Sequence, residues 1–460
     1  MSRHLKYRFV KGFIGKRNVI FVLFLMLLAS CGTSSSIVQN DSKNQQKWVG
    51  SWSTAPQLVE PRNVPPAPGL TGNTLRQIIS PSLGGKSIRL KFSNAFSDLP
   101  VEMISVEIAI VTEQPLVKTS TVKTLKFNGS PEVTMPAGEA VFSDALAFEF
   151  EARDRLAITI KFGKTAEKIT GHPGSRTTSY LVEGNENIKE NAFENAITTD
   201  HWYIINTLDV MAGKEASAVA ILGNSITDGR GSGTNKQNRW PDILAERLTQ
   251  HSRTKNIGVL NMGIGGNAVL RGGLGPTGLN RFDRDILNQS SIKYLIILEG
   301  VNDLGATPDS TAAFKVANKL IEAYKTMIKK AHAQNIKVYG GTITPIQKSF
   351  YYKDFREQAR QKVNNWIRNS SAFDAVIDFA KVLESPEEPN VIAKNLQSGD
   401  YLAFWNNSSW IPVRYQKHSH SSKAPQGYLI KPDGSSLTLT SELQLKLRSF
   451  KHLYNPGLVK

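Results

Sequence analysis

Between residues 48 and 214, apolar and polar residues alternate with a period of two. Ile88, Leu90 and Phe92 interleave with polar neighbours, and the same alternation returns at 106–110, 146–150 and 156–162. Turn sequences containing glycine or proline, at 83–86 and 136–138, separate these runs. Short alternating segments between turns are typical of half-buried strands. Residues 48–214 are therefore predicted to form an antiparallel β-sandwich domain.

The tryptophans of this region allow two interpretations. An exposed tryptophan can stack on a sugar ring, whereas a buried one fills a core or a domain interface. We expect Trp48, Trp52 and Trp202 to be core or interface residues, with carbohydrate binding as the alternative.

A different pattern begins near residue 215. Apolar runs at 218–222, 292–298, 336–339 and 375–379 alternate with segments of helical spacing at 240–248, 312–333 and 355–368. Strands that alternate with helices form parallel sheets covered by helices on both faces. Residues 215–402 are therefore predicted to be an α/β domain.

Three segments that follow predicted strands carry candidate chemistry. They read G-N-S at 223–225, N-M-G-I-G-G-N at 261–267 and L-E-G-V-N-D at 298–303. Open α/β sheets bind ligands at the carboxyl ends of their strands. Ser225 is therefore a candidate nucleophile, and helix capping is its plainer alternative role. The glycine turn at 263–266 lacks the G-x-G-x-x-G spacing of a dinucleotide site.

In order and position, the three segments resemble the first three sequence blocks of the SGNH (GDSL) hydrolases. The first resembles G-D-S-x-x-D-G, with Asn224 in place of the usual aspartate. The motif W-V-G-S-W-S-T-A-P, followed by a β module, is similar to a secreted two-domain bacterial lipoprotein branch of that family. The resemblance implies a three-layer, flavodoxin-like α/β domain with a parallel sheet, preceded by the antiparallel β-sandwich domain.

The resemblance also implies acyl-transfer chemistry. Ser225 would be the nucleophile, and an oxyanion hole would consist of the backbone N–H groups of Ser225 and Gly266 and the side-chain amide of Asn302. Asp303 is expected to brace its loop and not to react. The expected substrate is a carboxylic ester or an acylated saccharide, and no metal or other cofactor is expected.

The fourth block of that family, D-x-x-H, is incomplete in this chain. Asp400 fits the aspartate that orients the catalytic histidine, but position 403 is alanine. His418 and His420 lie at the wrong spacing from Asp400 to replace it. If the Ala403 codon is GCA, the codons for Ala403-Phe404 encode histidine first when read one base later. Residues 403–460 are therefore interpreted as an anomalous tail, and the hypothesis is that a frameshift produced it.

The amino terminus has the pattern of an export signal. Basic residues precede an apolar stretch at 19–28, which is short for a membrane span, and the segment ends L-A-S-C at 28–31. That ending resembles a lipobox, and Cys31 is the one cysteine of the chain. We expect a signal peptide at 1–30, lipidation of Cys31 and a flexible tether at 31–47. The expected location is the bacterial cell envelope or outer membrane.

The net charge of +17 does not indicate nucleic-acid binding. Six basic residues lie in the signal peptide, and residues 401–460 hold eight Lys or Arg against two Asp or Glu. The rest is mildly basic and has no basic stripe interleaved with aromatics. Two functions stay open at this point, which are a serine esterase and a non-catalytic saccharide-binding surface lipoprotein or inactive remnant.

Overall fold

The computed structural model describes residues 45–185, 190–273 and 275–397, together with the backbone of two short strands further along the chain. The predictions for Cys31, the signal peptide and residues 31–44 of the tether lie outside the described residues. The tether prediction is wrong for Gln46 and Lys47, which pair with Gly213 and Ala212 in an antiparallel sheet. Within these ranges, no helix has both the length and the apolar character needed to cross a membrane.

The first region is built from antiparallel strands and three short 3₁₀ helices. The strands are β1 (Gln46–Ser53), β2 (Gln57–Leu58), β3 (Thr74–Ile79), β4 (Gly85–Ser93), β5 (Val101–Ile110), β6 (Lys123–Thr124), β7 (Val133–Met135), β8 (Ala140–Phe142), β9 (Leu146–Phe150), β10 (Leu156–Phe162), β11 (Thr170–His172), β12 (Ser179–Val182), β13 (Ile197–Thr199), β14 (Trp202–Tyr203) and β15 (Ile205–Gly213). The 3₁₀ helices span Pro61–Asn63, Thr119–Thr121 and Glu190–Asn195.

Two antiparallel sheets share one apolar core in this region. One sheet has the order β1-β15-β4-β8, with β9 also on β4, and the other has the order β13-β12-β3-β10-β5-β6, with β7 on β5. Ile88, Leu90 and Phe92 are buried, whereas Arg89 and Lys91 between them are partly exposed. The period-two pattern therefore predicted the inward face correctly, because successive strand residues point to opposite faces.

The second region contains a parallel sheet with helices between its strands. Its strands are β16 (Ser217–Gly223), β17 (Ile257–Gly263), β18 (Ile292–Leu298), β19 (Lys337–Gly341) and β20 (Ala375–Ile377). The helices are α1 (Ser225–Asp228), α2 (Trp240–Thr249), α3 (Gly278–Phe282), α4 (Val301–Gly305), α5 (Ser310–Ala333), α6 (Asp354–Asn369) and α7 (Phe379–Leu383), and a π-helical turn at Asp283–Leu287 continues α3. Further along, β21 (Gly427–Ile430) pairs antiparallel with β22 (Ser436–Leu439).

The parallel strands follow the order β17-β16-β18-β19-β20. This is the flavodoxin-like order, in which the first strand lies between the second and the third. The α/β fold with a preceding antiparallel β region is therefore confirmed. The last strand is shorter than its apolar run, because Asp378 ends it and caps α7 by accepting a hydrogen bond from the Lys381 N–H.

The two regions are hydrogen-bonded to each other along β1. Gly50 N–H donates to Ser290 O at 3.1 Å, and the Ser291 hydroxyl donates to Trp48 O at 2.7 Å. A continuous apolar core runs through both regions. The division into separate domains at residues 214 and 215 therefore stays a prediction.

The tryptophans divide between core and boundary. Trp52 and Trp202 are buried, and their rings meet edge to face with centroids 5.0 Å apart. Trp48 is partly exposed, and the Arg89 guanidinium lies 4.8 Å from its ring centre. The core interpretation is confirmed for Trp52 and Trp202.

Candidate active site

The three segments singled out in the sequence meet at one edge of the parallel sheet. Gly223, the last residue of β16, lies beside Gly263 of β17 and beside Leu298 of β18. The segments that follow these three strands therefore begin side by side at the carboxyl edge of the sheet. Ser225, Gly266 and Asn302 lie in these segments, either in a loop or in the first turn of a helix.

Ser225 is the first residue of α1, a single helical turn. Asn224 caps that turn, because its Oδ1 accepts a hydrogen bond from Ile226 N–H at 3.0 Å. The capping role considered for Ser225 thus belongs to Asn224. Ser225 is half-buried, and its backbone N–H has no acceptor among the described residues.

Gly266 lies in the turn that follows β17. Its φ of +69° is in the left-handed region, where a side chain would be strained. The turn is fixed on both sides, because Ile264 N–H donates to Gly223 O and Asn267 N–H donates to Ile264 O, each at 3.1 Å. Within the described ranges no group accepts the Gly266 N–H, so this donor is free to bind an anion.

Asn302 lies in α4, directly after β18, and is buried. Its Nδ2 donates to Asn267 O at 2.6 Å, which joins the third segment to the second. The neighbouring Asp303 accepts hydrogen bonds from the N–H groups of Val269 and Leu270, both at 2.9 Å. Asp303 therefore braces the loop that carries Gly266, as the sequence predicted.

Arg281 lies fully buried beneath these loops. It donates hydrogen bonds to Gly223 O at 3.0 Å, Met262 O at 2.6 Å and Asn267 Oδ1 at 2.9 Å. Its charge is balanced by Asp285, whose carboxylate lies 3.2 Å away. One guanidinium thus holds the ends of β16 and β17 and the glycine turn together, and sequence patterns did not identify it.

Glu299 is the second buried ionisable group that the sequence did not identify. Its Oε2 accepts a hydrogen bond from Asn224 Nδ2 at 3.3 Å, and Arg281 lies 3.7 Å from Oε1. Burial raises the pKa of Glu299 to about 8, although the nearby Arg281 opposes the shift. The carboxyl group therefore keeps its proton at neutral pH and contacts the capping residue of the nucleophile turn.

A buried histidine from the antiparallel region supports the other end of α1. His172 Nε2 lies 2.8 Å from Asp228 Oδ1, and its Nδ1 lies 2.9 Å from Ala55 O. A carbonyl oxygen only accepts hydrogen bonds, so Nδ1 carries a hydrogen and a further proton lies between Nε2 and Asp228. Both ring nitrogens of His172 are engaged, which leaves neither free to act as a base for Ser225.

The remaining predicted site residues lie outside the described residues. These are Asp400 and Cys31, and position 403, where histidine was expected, is outside them as well. Across the described part of the chain, no group of three or more His, Cys, Asp or Glu side chains is arranged to hold a metal ion.

Comparison with known proteins identifies the region that contains these loops. Residues 221–393 match the family model of the GDSL-like lipase/acylhydrolase family. The chain carries a GDSL-like lipase/acylhydrolase domain. In this GDSL domain, the match begins inside β16, just before Ser225, and extends beyond α7.

Solved structures that resemble the GDSL domain cover about two fifths of this chain. A GDSL-like lipase from Bacteroides thetaiotaomicron VPI-5482 is 18% identical, with 42% of this chain and 80% of that chain covered and a TM-score of 0.29. A catalytic mutant of an acetylxylan esterase from Geobacillus stearothermophilus is 18% identical, with 41% and 88% covered and a TM-score of 0.31. The acetyl xylan esterase AlAXEase is 24% identical, with 36% and 78% covered and a TM-score of 0.27. Among curated proteins, no relative matches the chain.

Proposed function

We propose that this chain is a serine ester hydrolase that works through an acyl-enzyme at Ser225. The observation that supports the proposal is the common position of Ser225, Gly266 and Asn302 at the ends of three neighbouring strands. Simple binding does not need a hydroxyl next to several N–H donors without acceptors, whereas acyl transfer does.

In the proposed reaction, Ser225 Oγ attacks the carbonyl carbon of the ester and loses its proton. The carbonyl oxygen becomes an oxyanion that accepts hydrogen bonds from the N–H groups of Ser225 and Gly266 and from Nδ2 of Asn302. The alcohol then leaves with a proton, and water hydrolyses the acyl-serine. Each oxyanion donor is worth roughly 100- to 1,000-fold in rate.

The proton acceptor is the incomplete part of this proposal. Asp400 is proposed to occupy the position that orients a histidine, but the chain has Ala403 where the histidine is expected. Loss of the base lowers turnover by roughly a million-fold. We therefore expect slow, Ser225-dependent hydrolysis from the chain as written.

The proposed substrates are carboxylic esters met outside the cytoplasm, with acetylated saccharides among them. The proposed location follows from Cys31, whose lipidation would anchor the exported protein to a membrane. These proposals rest on the sequence of the amino terminus and on the chemistry of the site.

The test is p-nitrophenyl acetate hydrolysis by the full chain beside Ser225→Ala and the control Ser130→Ala. Ser130 is exposed in a turn of the antiparallel region. We expect Ser225→Ala to fall to the uncatalysed rate and Ser130→Ala to match the unmodified chain. Hydrolysis that survives in Ser225→Ala would refute the proposal.

The alternative is a non-catalytic saccharide-binding lipoprotein, and the alanine at position 403 favours it. A polysaccharide-retention assay on the same three proteins separates the two functions. Retention of acetylated polysaccharide without any Ser225-dependent hydrolysis would support the alternative.

The frameshift hypothesis has its own test. Resequencing the gene shows whether the codons at 403–405 encode histidine in the offset frame. If they do, a chain translated in that frame is expected to hydrolyse short-chain esters far faster than the chain as written. Codons incompatible with histidine would end the hypothesis.

A further inference from the structure

The Asn302 amide is held by two partners that together fix its orientation. Asn267 O lies 2.6 Å from Nδ2, and the Tyr351 hydroxyl lies 2.8 Å from Oδ1. A carbonyl oxygen can only accept, so the Asn302 atom facing Asn267 must be the amide nitrogen. The Oδ1 atom then faces Tyr351, and the Tyr351 hydroxyl must donate to it.

This orientation leaves one hydrogen of Nδ2 for the oxyanion. The first hydrogen points to Asn267, and the second has no acceptor among the described residues. The Tyr351 hydroxyl keeps Oδ1 from turning toward the reacting carbonyl oxygen, where two oxygens would repel. A donor that is oriented before the reaction stabilises the transition state without a cost of reorganisation.

A glycine in α4 leaves room for the Tyr351 ring. Gly305 lies three residues after Asn302 in α4, so both are on one face of that helix. A Cβ atom on Gly305 would lie 2.4–2.7 Å from three carbons of the Tyr351 ring. The ring therefore lies directly on the helix backbone at Gly305, which brings its hydroxyl to Asn302.

The backbone of Tyr351 is tied to the same helix. Arg356 donates to Tyr351 O at 3.1 Å and, through its Nε, to Thr307 O at 2.9 Å, just beyond α4. Burial raises the pKa of Tyr351, and Arg271, Arg230 and Arg356 oppose the shift. The hydroxyl therefore carries its proton at neutral pH, as a donor must.

We propose that Tyr351 is a positioning residue that orients the Asn302 amide for the oxyanion. The inference rests on the proposed function, and it adds a residue from the segment after β19 to a site otherwise built from the ends of β16, β17 and β18.

The experiment measures acyl-enzyme formation with the full chain in excess over p-nitrophenyl acetate. This single-turnover format detects the slow reaction expected without a base. Tyr351→Phe should lower the maximal rate roughly 10- to 100-fold, less than loss of a whole oxyanion donor, with the half-saturating concentration changed by less than about twofold. The control is Tyr352→Phe, because the Tyr352 hydroxyl donates to the exposed Asp354. This variant should react at the same rate as the unmodified chain.

A double-mutant cycle separates positioning from general support of the fold. If Tyr351 acts through Asn302, Tyr351→Phe should have no further effect in an Asn302→Ala background. Gly305→Ala, which forces the ring away, should lower the rate in the same way as Tyr351→Phe. Additive effects in the cycle, or an unaltered rate in Tyr351→Phe while Ser225→Ala is inactive, would overturn this inference alone. Equal rates for the unmodified chain and Ser225→Ala would refute the proposed function and the inference with it.

Discussion

Glu299 makes the stability of the protein depend on pH in a way that one substitution should remove. Its carboxyl group is completely buried, and burial raises its pKa from 4.5 to about 8. Asp303 raises the pKa further, whereas Arg281, the Asn224 amide and the Gly300 N–H oppose the shift. Replacing Glu299 by glutamine keeps the shape and an acceptor for Asn224 but removes the titration.

The sign of the effect follows from proton binding. Between pH 4.5 and about 8 the folded chain holds a proton on Glu299 that the unfolded chain has released. Stability from this group is thus complete below pH 4.5 and is lost as the pH rises through about 8. The difference between these two pKa values corresponds to a loss of at most roughly 5 kcal/mol in the free energy of unfolding.

Urea unfolding at several pH values measures this difference. The free energy of unfolding of the unmodified chain should fall relative to Glu299→Gln by several kcal/mol, up to roughly 4, between about pH 5 and 9. The control is Glu322→Gln, because the Glu322 side chain is 70% exposed and pairs with Lys325 on the surface. A difference between the unmodified chain and Glu299→Gln that stays constant within about 0.5 kcal/mol over this range would refute the reasoning.

Three further substitutions test separate parts of the account. Asn302→Ala should lower kcat by roughly 100- to 1,000-fold with KM nearly unchanged, because the oxyanion exists only along the reaction path; a raised KM at constant kcat would show ground-state binding instead. His172→Ala leaves Asp228 buried without its partner and should lower the free energy of unfolding by about 3 kcal/mol in urea titrations; unchanged stability would contradict a structural role for the pair. Cys31→Ala should abolish labelling with radioactive palmitate and partition into detergent; equal membrane binding by this variant would exclude the lipid anchor.

Regular elements of the fold could be predicted because their signals are local. The strand Ile292–Leu298 ends in the continuous apolar run Tyr294–Leu298, as a strand inside a parallel sheet requires. The helix Ser310–Ala333 repeats its buried residues at helical spacing over 24 residues. The last strand ends two residues earlier than its apolar run predicted, because Asp378 caps the helix that follows.

The buried charges of the site could not be predicted, because their partners are distant in sequence. Arg281 donates to carbonyls that lie 19 and 58 residues before it, and His172 meets Asp228 across 56 residues. In the sequence, each of these residues resembles an ordinary surface charge. Asp228 had one signal, which was its place in the G-D-S-x-x-D-G pattern, but the pattern did not say what it contacts.

The central claim is that Ser225 forms the acyl-enzyme, and trapping that intermediate tests it most directly. The full chain is incubated with p-nitrophenyl acetate, quenched in acid, digested and mapped by mass spectrometry. Attack by Ser225 Oγ releases p-nitrophenol and leaves an acetyl ester, so the account predicts one acetyl group on the peptide that contains Ser225 and none on the same peptide of Ser225→Ala. Acetylation at another residue, with Ser225 unmodified and hydrolysis undiminished in Ser225→Ala, would contradict it.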